Sequence, residues 1–251
     1  MGLGKVEPVN QDIDNALSGW EFKPGQMQAR LVQAAGRQVI QMRVDLGILQ
    51  MEVGPRPDGT SPHGFPTYFA YLQDQARAAR RAGKEFTMSE EQCMEADREF
   101  LEFYQRRICW LALGKFSNAI ADADHTLAFM DFVRSHSPSD EYTQVHEQYR
   151  GFVLFQRTQA AAALEVEKKN PEAAIDEVRG GLDKLRAFFA SFEAEEHMEE
   201  DGMVQHLRKI EKSLRGEYKI EATLQEQLDL AVANEEYERA AQLRDVLRKR
   251  Q

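Results

Sequence analysis

The sequence predicts a mainly α-helical protein with a small antiparallel β unit near its start and a short helical hairpin at its end. Three patterns carry this expectation. β-Branched residues in alternation are confined to a stretch between about residues 29 and 53, apolar residues recur at helical spacing after Pro66, and the segment LQEQLDLAVANEEYERAAQLRDVL (Leu224 to Leu247) holds two apolar stripes separated by a turn. With 251 residues, 42% of them hydrophobic, the chain can bury a substantial core.

Residues 1–19 mix Gly, Pro, Asn and Asp without apolar periodicity and read as a flexible arm. The β unit is expected over 20–62. Ile40, Met42, Val44 and Leu46 alternate with polar Gln41, Arg43 and Asp45; Ala35-Gly36-Arg37 offers a turn from an earlier strand at about 29–33, and GILQMEV supplies a third strand. A helical domain follows over 63–200. Its first helix carries Tyr68, Leu72, Ala76 and Ala79 on one face and stops at Gly83. The next starts at Thr87 or Ser89, repeats Cys93, Ala96, Phe100, Phe103 and Leu111, and ends at Gly114. Ser137-Pro138 and Asn170-Pro171 each set a capping side chain before a proline, marking helix starts near 138 and 171. The charged run EAEEHMEEDG then separates this domain from a coiled-coil-like helix and hairpin over 203–251.

Two stretches carry family resemblances. In LALGKFSNAIADADHTL a turn at Gly114 is followed by Phe116 and by small Ala119, Ala123 and Thr126 on one helix face, with Trp110 on the helix before; this resembles a tetratricopeptide repeat. NPEAAIDEVRGGLDKL repeats it more weakly through Ala174, Val178 and Gly181, against Ala162. The interval from Ala119 to Ala174 exceeds the family's roughly 34-residue period, so the units are elongated or degenerate, or else a generic helical bundle. The C-terminal stretch resembles the UVR motif, the helical hairpin of excision-nuclease subunits B and C and of Clp-associated regulators. Leu224, Leu228 and Ala231 match its first helix; Tyr237 stands for the commoner phenylalanine, followed by Ala240, Ala241, Leu243, Arg244 and Asp245.

A hairpin this short cannot bury enough surface to stand alone, so its outer stripe needs a cover. The resemblance implies a protein partner, a second UVR hairpin among the options, and the contact is expected at Leu224, Leu228, Ala231, Tyr237, Ala240, Ala241, Arg244 and Leu247. The function expected is a non-enzymatic protein-protein interaction adaptor. The alternative is an accessory factor of nucleotide excision repair that reaches DNA through a protein partner.

Chemistry is sparse in the sequence. No Gly-rich phosphate loop is present, the histidines form no H-x-x-x-H pair and neither Cys93 nor Cys109 has a ligand partner nearby, so no metal or cofactor is expected. Asp122 and His125 share a helix face and read as solvated. Arg56, Asp58 and His63 cluster in the loop RPDGTSPHG, which reads as a rigid turn. A net charge of −10 argues against direct nucleic-acid contact, and acidic residues slightly outnumber basic ones over 224–251. Arg77, Arg80, Arg81 and Lys84 form one basic stripe, a dock for an acidic partner or merely a solvated face. The start lacks a signal-peptide core, no apolar run is long enough to span a bilayer, and two unpaired cysteines suit a reducing compartment; a soluble cytoplasmic protein is expected.

Overall fold

The structure, a computed structural model, describes residues 13–250. Most of the arm expected over 1–19 therefore lies outside the described residues, while Asp14–Leu17 forms a single helical turn, α1. Three strands follow, β1 (Ala29–Ala34), β2 (Arg37–Val44) and β3 (Gly47–Glu52), paired antiparallel in the order β1-β2-β3. The first turn works because Ala35 and Gly36 both take positive φ (48° and 78°), the two-residue geometry that matches strand twist. Ile40 faces Leu31 on one side and Met51 on the other. Ile40, Met42 and Met51 are buried against Cys109, Trp110, Ala119 and Ala160, so the sheet closes over the helices. Leu46 departs from the expected strand face: it sits in the turn between β2 and β3 and is 90% exposed.

The helices are α2 (Tyr68–Arg81), α3 (Glu90–Ala112), α4 (Phe116–His136), α5 (Asp140–Glu147), α6 (Arg150–Glu167), α7 (Pro171–Ser191), α8 (Gly202–Tyr218), α9 (Leu224–Ala233) and α10 (Tyr237–Arg250). Their ends follow local chemistry. Thr67 caps α2, Ser89 and Gln92 form a capping box on α3, and Asn170 caps α7 with Pro171 in the first turn. At α5 the cap is Ser139, whose hydroxyl accepts from the Tyr142 N–H at 3.2 Å, two residues beyond the expected cap Ser137. Gly83, at φ 67°, ends α2 with the Gly83 and Lys84 N–H groups turned back onto the Arg80 and Ala79 carbonyls.

Each long helix packs on the next: α3 on α4, α4 on α6, α6 on α7, and α7 on α8, with α6 also meeting α8. Small residues make the close contacts. Ala119, Ala123, Ala162 and Ala174 are all buried, and a side chain at Gly181 would run into Thr158. One apolar cluster runs from Leu154 and Ala162 through Val178, Leu182 and Leu185 to Met198, Val204, Leu207 and Leu214. It continues across the charged run, whose Met198 is buried in a short 3-10 turn.

Buried polar groups join the β unit to the helices. Asp122, expected in solvent, is 4% exposed; it accepts from Arg106 Nη2 at 2.6 Å and Nε at 2.9 Å. Arg106 also donates to the Glu52, Gly54 and Pro55 carbonyls at the end of the sheet. His125 is half-buried: its Nε2 lies 3.0 Å from Glu99, and its ring stacks on Phe103. Glu99, fully buried, accepts the Tyr68 and Phe69 N–H groups at 2.6 and 3.1 Å, placing a carboxylate on the N-terminus of α2. Arg56 is also buried, among Glu95, Glu99, Glu102 and Asp58. Arg107 reaches Gln156 and Thr126, tying α3 to α6 and α4; burial lowers its pKa to about 10, which leaves it charged at neutral pH.

Candidate functional site: the C-terminal hairpin

The C-terminal hairpin is built by two stops and a tether. Helix α8 ends at Lys219, which takes the left-handed conformation at φ 55°. The chain restarts at Thr223, whose hydroxyl accepts from the Glu226 N–H while the Glu226 carboxylate accepts from the Thr223 N–H at 2.7 Å, a reciprocal capping box. The Thr223 hydroxyl also donates to Asp176 on α7 at 2.7 Å, and Thr223 is fully buried. Glu226 further accepts from Arg215 at 2.7 and 3.1 Å and lies 3.5 Å from Arg179. The first turn of α9 is thus tied to both α7 and α8.

These contacts move the two carboxyls in opposite directions. Burial raises Asp176 above the usual carboxylate range, only partly offset by the Thr223 hydrogen bond and the Arg179 charge. For Glu226 burial again pushes upward, but Arg215, the Thr223 N–H and Arg179 outweigh it and hold the group below its ordinary value.

Beyond the tether the hairpin packs on itself. Glu235 takes φ 60°, and the Glu235 and Glu236 N–H groups return to the Val232 and Ala231 carbonyls, reversing the chain into α10. The principal neighbour of α10 is α9. Ala231 and Ala240 are 1% and 8% exposed and form the seam where small side chains let the two backbones approach.

The expected contact residues therefore divide. Ala231 and Ala240 lie inside the hairpin; Leu224, Leu228, Ala241 and Leu247 are half-buried; Tyr237 and Arg244 are exposed. Tyr237 is 68% exposed, and the structure adds three apolar side chains outside the expected stripes, Leu230, Val232 and Val246, at 57%, 53% and 41%. Leu230 and Val232 flank buried Ala231 in sequence, so each points about 100° away from the seam. Their signal was present in the sequence as apolar residues out of register with both stripes, and Thr223-x-x-Glu226 was legible as a capping box. Nothing local could have shown that Asp176, Arg179 and Arg215 would meet it.

Residues 218–250 match the family model of the UvrB/uvrC motif. The hairpin is a UVR motif. No curated protein and no solved structure matches the chain. The UVR match begins at the last residue of α8 and takes in the Thr223 tether, α9 and α10; the helical pairs α3–α4 and α6–α7 lie outside it. No helix among the described residues is long and apolar enough to cross a membrane.

The basic stripe is also divided by the fold. Arg77, Arg80 and Lys84 line a cleft with Phe86, Phe132 and His136, whereas Arg81 does not line it. Arg77 lies 3.5 Å from Asp74, both exposed; Arg80, Arg81 and Lys84 have no ion-pair partner among the described residues. In the loop, Arg56 is held by carboxylates, Asp58 accepts from Arg98 and the Thr60 N–H, and His63 stacks on Tyr71 with centroids 4.0 Å apart.

Proposed function

We propose that the chain is a non-enzymatic adaptor whose UVR hairpin binds another protein, a second hairpin of the same kind included. One observation carries this reading. A two-helix unit tethered at one end leaves Tyr237, Leu230, Val232 and Val246 exposed, and a small element with several large apolar side chains in water gains by covering them with a partner. The helical array is read as a tetratricopeptide-like scaffold that presents the hairpin, in a reducing, cytoplasmic setting that suits the free, buried Cys93 and Cys109. The buried polar side chains of the described residues all have hydrogen-bond partners, and Glu99, Arg106, Arg107 and Asp122 use theirs to join elements, a structural use that suits a scaffold. The match to a motif named for UvrB and uvrC favours one second reading, an accessory factor of excision repair that reaches DNA through its partner.

The test is Tyr237→Ala. Loss of an exposed aromatic anchor weakens association by about 2 kcal/mol or more while helicity is retained. Sedimentation of the free protein and calorimetry with a partner recovered by the full chain, but not by a chain ending at Ala222, measure this. Equal association by wild type and variant, alone and with the partner, rejects the hairpin as the contact. Recovery of an excision nuclease would move the repair reading first.

A further inference from the structure

Beside the end of α2 lies a second site, independent of the hairpin. The C-terminal turns of α2 and α4 and the connector before α3 enclose a cleft of about 600 Å³, within the size range of ligand sites. Arg77, Arg80 and Lys84 supply its charge, against the single lining carboxylate Glu85. Phe86 and Phe132, both half-buried with centroids 6.2 Å apart, supply an apolar wall. His136 fixes that wall: its ring lies 4.4 Å from Phe132, its Nδ1 donates to the Phe86 carbonyl at 3.0 Å, and its own carbonyl accepts from the Met88 N–H at 2.8 Å.

The helix dipole alone favours cations in the last turn of α2. It does not account for a rigid aromatic wall beside them. Among the described residues Arg80 and Lys84 have no carboxylate partner, and the exposed Arg77–Asp74 pair at 3.5 Å is weak, so the cations are available to a ligand.

The geometry selects among anions. Phosphate sites present free backbone N–H groups, commonly at a helix N-terminus. Here two helix C-termini converge, and the Gly83, Lys84 and Met88 N–H groups are already spent on carbonyls. Arg77 and Arg80 lie about 5 Å apart along α2 and Lys84 follows past the turn at Gly83, a spread that successive side chains of an extended peptide can meet. We propose that this cleft binds an acidic peptide segment of a partner protein, its carboxylates on Arg77, Arg80 and Lys84 and an apolar side chain against Phe86 and Phe132.

Fluorescence anisotropy on the full chain tests this with a labelled peptide that alternates Glu with Phe and Leu. Saturable binding is expected, weakened about tenfold or more by Arg80→Glu or Lys84→Glu, the scale of a lost charge-assisted hydrogen bond. Arg81→Glu, an equal charge change outside the cleft, should alter affinity by less than about twofold, since exposed charges are screened within about 8 Å at physiological salt. A peptide with Ser in place of Phe and Leu should bind several-fold more weakly. These exposed positions should keep wild-type circular dichroism, and Arg80→Gln repeats the test without charge reversal. The proposal fails if no peptide binds, if Arg81→Glu costs as much as Arg80→Glu, if the Ser peptide binds equally well, or if inorganic phosphate or single-stranded DNA displaces the peptide.

Discussion

Arg106 and Asp122 form a buried, bidentate pair that also holds the end of the sheet, so either member alone would be an unpaired charge in the core. Asp122→Ala should therefore destabilise the protein by about 3–5 kcal/mol, read as a lower urea midpoint. Neighbouring glycines on α7 should respond with opposite signs. Gly180 has open space beside it, so Gly180→Ala should gain up to about 1 kcal/mol in helix propensity. At Gly181 the new carbon meets Thr158, which is buried and bonded to the Leu154 carbonyl and cannot turn away. Gly181→Ala should lose about 1–3 kcal/mol despite the same propensity gain; paired thermal melts decide both. The close-packing role of Gly181 was legible from its spacing with Ala174 and Val178. The burial of Asp122 was not, because its partner lies on α3 and helix periodicity says nothing about which polar face another helix will cover.

At the scale of elements, caps and turns were the most readable features, since each depends on a few neighbouring residues. Thr67, Ser89, Asn170 and Gly83 end their helices where local chemistry places the ends, while Leu46 left its strand because the two-residue turn to β3 claimed it. The attachment of the UVR hairpin was hidden, because it joins three separate segments. Its dependence on pH follows from the two carboxyls. Glu226, depressed in the folded protein, stabilises the attachment above its unfolded value, and that contribution is lost as pH falls through the lower folded value. Asp176, raised by burial, runs the other way: ionisation penalises the fold, and protonation on acidification relieves that penalty. Hydrogen exchange in the first turn of α9 should therefore quicken in wild type as pH is lowered through the carboxylate range, after correction for intrinsic exchange. Glu226→Gln should be less protected at neutral pH and lack that acid step; an unchanged pH profile would mean that Arg215 and Arg179 do not hold the hairpin.

For the whole molecule, the central question is whether the hairpin belongs to the folding unit or is carried by it. The cluster from Leu154 to Leu214 joins α6, α7 and α8 into one core, with Ile220 packed at its edge, and this core closes before Thr223. Beyond it, attachment rests on buried Thr223 and on Asp176, Arg215, Arg179 and Glu226, partly exposed charged groups; the individual contributions are modest compared with apolar burial on that scale. A chain ending at Ala222 should therefore keep the unfolding midpoint of the full protein to within a few degrees, since a change of about 1 kcal/mol moves a domain of this size by about 2–4 °C. The same truncation should abolish association through the hairpin. Differential scanning calorimetry and sedimentation of the two chains separate these effects. A large fall in the midpoint of the shortened chain would make the hairpin part of the core, and the exposure of Tyr237 would then be incidental to a structural role.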